Sequence, residues 1–223
     1  MISFLFSFTQ SSANKDGIFK KIYSKHNIIF DVSGSSQQYI NGTKQTTKPE
    51  YAIYPWDKTY DWCSNCAKKQ DEHPYITFSV AKKNFKFNSY FLRCGCCYDA
   101  GCCCEESGYC FDCCLYSWSV LISDDNKTWT EIHKIKDDSM RICNEKTYNL
   151  DKSYEAKYVR VTQNEACPGY KPCISINKFE IFGDVIDDNM RQEEDDNFVS
   201  FHDVYEDVSI IGHISKNSNP KYN

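Results

Sequence analysis

Nine cysteines fall within the 21 residues from Cys94 to Cys114: Cys94, Cys96, Cys97, Cys102, Cys103, Cys104, Cys110, Cys113 and Cys114. Cys63, Cys66, Cys143, Cys167 and Cys173 bring the total to 14. A polar segment of this size cannot bury enough apolar surface to offset the entropy of ordering, and cross-links are the usual remedy. The even count suits disulfides, and a chain this rich in them belongs in an oxidising compartment. Cys167 and Cys173 are placed to close the loop between them. The alternative for Cys63 and Cys66 with Cys110 and Cys113 is a four-thiolate zinc site, because soft thiolates favour that metal. The interval between those two pairs is longer than in ordinary zinc modules, and free thiols are the remaining reading. Connectivity cannot be deduced, since 14 cysteines permit too many pairings.

The second candidate site is aromatic. Tyr54, Trp56, Tyr60 and Trp62 crowd into one loop-like segment. The face of a tryptophan offers apolar area suited to the flat side of a pyranose. Trp56, Tyr60 and Tyr54 are therefore candidate ligand contacts, although wedging the loop onto a core would use the same residues. Trp62, adjacent to Cys63, is expected to be buried. Asp57 and Asp61 are hard oxygen ligands that could hold a structural calcium, or simply solvated carboxylates. Arg93 and Arg160 end or interrupt predicted strands, where a structural ion pair or a hydrogen bond to backbone is expected, although an arginine at a strand end can also hold a sugar hydroxyl or carboxylate. Tyr98 and Tyr109 of the cysteine-rich segment complete the set of candidate contacts. No cofactor is required by any of these residues.

Catalysis finds little support. His26, His73, His133, His202 and His213 lack the spacing of a His-Glu-x-x-His metal site. There is no Gly-x-Ser-x-Gly nucleophile turn and no glycine-rich phosphate loop. Asp184 to Asp207 holds ten acidic residues against one base, Arg191. The rest of the chain has 21 acids and 25 bases with no basic stripe, so nucleic acid is not an indicated partner. The acidic tail could contact a basic partner. Asn41-Gly42-Thr43 and Asn126-Lys127-Thr128 are glycosylation sequons, of a kind that also arises by chance.

Short strands must position these groups. Aromatics make up 15% of the 223 residues, which favours strands over helices. Ser117 to Ile132 alternates Trp118, Val120 and Ile122 with smaller residues, then turns at Asp124-Asp125-Asn126-Lys127, a tryptophan-bearing hairpin. Ile28–Val32, Tyr75–Val80, Phe85–Arg93, Tyr158–Val161 and Ile174–Phe182 also read as strands. A bulge is expected near Asn88-Ser89, a turn at Ala81–Asn84 and a strand end at Gly183. Ser33–Pro49, Tyr51–Pro74, His133–Asn149 and Gln163–Pro172 read as loops or connections. Ile18, Phe19, Ile22 and Tyr23 share one face of a short helix that Asp16 could cap. At least seven short strands with no crossover helix predict an antiparallel sandwich or barrel.

The order YITFSV, FKFNSYFLR, WSVLISDDNKTWTEI, AKYVRV, SINKFEIFGDV resembles the discoidin domain, also called the coagulation factor 5/8 type C domain, from about Asp16 to Val185. The resemblance implies an all-β, antiparallel jelly-roll β-sandwich of galactose-binding-like type with a short N-terminal helix. It also implies a mostly non-catalytic module that recognises glycans, phospholipid head groups or proteins through loops at one end. The cysteine-rich insert, residues 94–116, departs from that pattern.

The expected organisation is therefore a leader over residues 1–15, a sandwich over 16–185 and an acidic tail over 186–223. The leader pattern, apolar from Ile2 to Phe8 and then small and polar, suits a short secretory signal cut near Ala13, but it lacks the usual preceding bases. An N-terminal strand would read the same way. No apolar run approaches the length of a membrane-spanning helix. The function expected is recognition or adhesion, secreted or at the cell surface, with a glycan or protein ligand. An intracellular scaffold that uses the sandwich for docking is the alternative.

Overall fold

The computed structural model describes residues 16–25, 27–95, 115–140 and 143–188. The residues of the leader, most of the cysteine-rich insert (with Tyr98 and Tyr109) and the tail beyond 188 lie outside that set.

Two antiparallel layers face each other. One contains β4 (Trp62–Cys63), β11 (Ser175–Asp187), β6 (Lys83–Cys94) and β9 (Glu145–Ala156), paired in that order. The other contains β1 (Ile28–Val32), β5 (Tyr75–Val80), β10 (Tyr158–Glu165), β7 (Ser117–Ser123) and β8 (Thr130–Lys136). Direct pairing between β5 and β6 is confined to Val80 and Lys83, at the tight turn where the chain changes layer. Lys82 takes a left-handed φ of 57° there, so the predicted turn at Ala81–Asn84 shrinks to Ala81-Lys82. This is the jelly-roll β-sandwich expected from the strand count and the resemblance.

Alternation decides the core. Ile76, Phe78, Val120, Val159, Val161, Phe179 and Ile181 are fully buried, each from the inward face of its strand. Phe78 of β5 stacks on Phe179 of β11 with ring centres 5.1 Å apart, joining the layers. Trp118 of the tryptophan hairpin donates its indole N–H to the Tyr90 hydroxyl of β6 at 3.3 Å, a second tie across the sandwich. Trp129, at the far side of the hairpin loop, has its ring centre 3.9 Å from the Arg160 guanidinium, which also lies 4.0 Å from the ring centre of Tyr75. Arg160 donates to Thr77 and pairs with Asp31, the structural role expected of it.

Helix α1 (Ile18–Ile22) buries Ile18, Phe19 and Ile22. Its cap differs from the prediction. Asp16 bonds Lys20 on the surface, at 2.8 Å, while the buried Glu180 carboxylate of β11 accepts from the Phe19 and Lys20 amides at 2.8 and 3.0 Å. A Cβ at Gly17 would sit 2.0 Å from the Glu180 side chain, so the helix start needs glycine for close approach.

Several predicted boundaries shift. Ser33–Pro49 is not a plain loop: β2 (Gln37–Ile40) and β3 (Thr43–Thr46) pair as a hairpin across Asn41-Gly42, both at positive φ. All four β3 residues are exposed, so no apolar alternation marks it. The expected connection His133–Asn149 is largely strand, the end of β8 and the start of β9, and β10 runs on to Glu165. Tyr51–Pro74 is irregular apart from the 3-10 turn Pro49–Ile53, which overlaps its start, and β4. Gly183 does not end β11. At φ 157° it carries the strand through a register shift and on to Asp187, passing so close to β6 that a Cβ would lie 1.9 Å from the Lys86 carbonyl oxygen. The bulge near Asn88-Ser89 is present, as a register shift between Phe87 and Ser89.

Candidate functional site

The loop from Tyr54 to Asp61 leaves the 3-10 turn Pro49–Ile53 and enters β4. Trp56 is 49% exposed, one of the few large apolar side chains so placed among the described residues. Its ring lies 4.5 Å from Tyr54, tilted by 33°, and meets Tyr23 edge-on at 5.5 Å. Tyr54 meets Tyr23 and Tyr51 at 5.6 and 5.5 Å, and Tyr51 meets Tyr60 at 4.6 Å. Burial among these rings pushes the Tyr54 hydroxyl well above the ordinary phenol range. The result is an aromatic platform with Trp56 as its solvent-facing member.

Charged groups border the platform. Arg93, near the end of β6, holds Asp57 at 3.1 Å and Glu145 of β9 at 2.5 Å. The guanidinium keeps the Asp57 carboxyl below the usual carboxylate range. Tyr54, Trp56, Asp57, Tyr60 and Arg93, separated in sequence, thus gather in one region. Tyr98 and Tyr109 fall outside the described residues.

Beneath the loop runs a buried polar network. The Asp61 carboxylate accepts from Gln38 of β2 at 3.1 Å and from Asn177 of β11 at 2.9 Å. The Asp61 amide donates back to Gln38 at 2.8 Å. Asn177 donates to the carbonyls of Lys58 and Tyr60, both at 3.3 Å, and Lys58 donates its ammonium to the Asn177 carbonyl. Lys58 is only 8% exposed, and burial pushes its amine down to about 8. Trp62, as expected, is fully buried, and its indole N–H donates to Ser35 at 3.0 Å. Asp57 and Asp61, the paired candidates for calcium, have separate partners. Among the described residues no group of three or more His, Cys, Asp or Glu is arranged to hold a metal ion.

The root of the cysteine-rich insert adjoins the same region. The Cys94 amide donates to the Asn144 carbonyl, the Cys143 amide to the Gly95 carbonyl, and the Gly95 amide to Ser175, all between 2.9 and 3.0 Å. Cys63 Sγ lies 3.5 Å from Ser175 Oγ. The Ala67 amide meets the Pro172 carbonyl, which brings the stretch around Cys66 against the loop ending at Cys173. Cysteines remote in sequence are therefore anchored on adjoining backbone.

Elsewhere, a depression of 280 Å³ lies at the tip of the β7–β8 hairpin, lined by Ser123, Asp124, Asp125, Thr128, Thr130 and Glu155 among others. The Asp125 carboxylate there accepts the Lys127 and Thr128 amides at 2.8 and 2.7 Å, so it shapes the turn.

Sequence reasoning missed Tyr23, Lys58, Glu145 and Asn177. Tyr23 was visible as one face of the helix, and the other three carry no local signal.

No protein-family model matches the chain, and no curated protein matches it. Among solved structures the chain is similar to a family 32 carbohydrate-binding module of Clostridium perfringens in complex with GalNAc-β-1,3-galactose. The identity is 15% and the TM-score 0.51, over 75% of this chain and all of that one. Also similar is the family 32 module from C. perfringens NanJ in complex with galactose, at 11% identity and TM-score 0.48, over 75% and 98% of the two chains. A third is the C-terminal domain of a chitobiase from Bacteroides fragilis, at 15% and 0.45, over 71% and 95%. The chain has the discoidin-type, galactose-binding-like fold.

Proposed function

We propose that this sandwich is a non-catalytic carbohydrate-recognition module whose binding surface is the Tyr54–Tyr60 loop with Arg93. The half-exposed Trp56, backed by Tyr54 and bordered by the Asp57–Arg93–Glu145 cluster, carries the reading. A pyranose needs one apolar face to stack on and polar groups at its rim, and this surface offers both within one region. Arg93 donates to hydroxyls while the two carboxylates it orients accept from them. The carboxylates suit binding better than catalysis. Asp57 is held ionised by Arg93, whereas a general acid needs a raised pKa. The solved module with the same fold, in complex with GalNAc-β-1,3-galactose, supports a glycan ligand.

We further propose that the module works outside the cell, with its insert cross-linked by disulfides. The adjoining backbone at Cys94, Gly95 and Cys143, and the nearness of the stretch around Cys66 to the loop ending at Cys173, support that reading. Glycan-array binding of the native protein tests the ligand class. Binding to at least one sugar, weakened at least tenfold in Arg93→Ala, is the expected result. Silence across the array, with the protein folded, would contradict it.

A further inference from the structure

We propose that Lys58 is the positioning residue of the aromatic loop: its buried amine fastens the loop to β11, and the arrangement of Trp56 depends on the charge state of that amine. The proposal rests on the sugar-binding reading only in treating this loop as the site.

Lysine is among the residues least often buried, yet Lys58 is 8% exposed in the middle of a surface loop. Its ammonium donates to the Asn177 carbonyl and lies 5.7 Å from the Tyr60 ring centre. The Asn177 side chain returns bonds to the Lys58 and Tyr60 carbonyls and to Asp61. Residues 58, 60 and 61 are thus tied to one position on β11, and Gln38 holds Asp61 from the opposite side. Trp56 sits two residues before Lys58, on the segment whose downstream end is fixed this way. The upstream end is held by ring contacts among Tyr51, Tyr54 and Tyr23.

The charges that face Lys58 are few. Asp61 and Asp57 of its own loop favour the ammonium, while Lys178 of β11 and Arg93 of β6 oppose it. Desolvation outweighs them all and brings the amine down to about 8, so the charge is lost in mildly basic solution. The docked loop holds the amine at about 8 and an undocked one would return it to 10.5, so deprotonation favours docking and the contact of Trp56 with Tyr54 should tighten as pH rises past 8.

Near-ultraviolet circular dichroism of the native full chain, titrated from pH 6 to 9.5, tests this without a ligand. The closely coupled Tyr54 and Trp56 rings should report a transition with a midpoint near pH 8. Lys58→Met should remove that transition, and Lys58→Arg, charged throughout, should remove it while keeping the low-pH signal. Hydrogen exchange at pH 7 gives a second readout: amides 54–61 should exchange at least tenfold faster in Lys58→Met than in the native protein, with β5 and β10 unchanged. A titration identical in native protein and Lys58→Met, or unchanged protection of 54–61, would overturn the proposal. Failure to bind any sugar would overturn the function proposed above but would leave these two results as they stand.

Discussion

Glu180 lies 161 residues from Phe19, yet its carboxylate accepts that residue's amide at 2.8 Å inside the protein. No pattern along the chain could disclose this. The apolar face of the helix was visible, and Asp16 stood where a local cap belongs, but a carboxylate from β11 does the capping. Burial raises the Glu180 carboxyl, and the three amides that bond it pull the other way. Glu180→Ala should leave the buried Phe19 amide and the partly buried Lys20 amide without an acceptor and destabilise the fold by about 2–3 kcal/mol. Urea unfolding of the two proteins, compared at equal m-value, checks this. The candidate site follows the same logic. Trp56 and Asp57 announced themselves by type, as did Arg93. Their convergence depends on β6 and β9 lying side by side, and Lys58 looked like any surface lysine.

Among the elements, those with one face buried were readable, and those with little buried were not. Tyr75–Val80 and the hairpin of β7 with β8 stood out because Ile76, Phe78, Trp118 and Val120 fall on the core side. β3 is exposed throughout, and in β9 the inward face of Tyr148, Leu150, Tyr154 and Ala156 is interrupted by the exposed Lys152. Where neither face is buried, period-two alternation has no physical cause and vanishes. The Asn41-Gly42 pair, suited to a two-residue hairpin turn, was read only as part of a sequon in a loop, and it joins β2 to β3. Gly183 misled for a related reason: glycine often ends a strand, but in β11 it lets two backbones approach. Gly183→Ala would force a Cβ against the Lys86 carbonyl and add a positive-φ penalty. A loss of more than about 2 kcal/mol is expected, measured by thermal unfolding against the native protein.

Across the whole molecule the sandwich holds a buried cation beneath its candidate binding surface, and stability should register it. The Lys58 amine is lowered from 10.5 to about 8 in the folded protein. The folded state therefore disfavours the charged form. That cost is present in full below pH 8 and is relieved as pH rises from 8 towards 10.5, where the unfolded chain binds more protons than the folded one. Native stability should rise through this window, by up to about 3 kcal/mol, relative to Lys58→Met, which lacks the group. Denaturant midpoints at pH 7 and 9.5 for both proteins would show it, and parallel pH dependence would contradict it.

The overall architecture could be read from strand count, turn residues and the discoidin-like order of motifs, because these reflect burial and local chemistry. The surface that meets a ligand could be read only as a set of candidates, because it is assembled from the 54–61 loop, β6 and β9. Its centre is Trp56, and the measurement that bears on it most directly is calorimetric titration of native protein and Trp56→Ala with the strongest sugar found on the array. Native protein should bind it, and Trp56→Ala, still folded, should bind at least tenfold more weakly, a loss of about 1.4 kcal/mol or more. Equal affinity in the two proteins would contradict a sugar site on this loop.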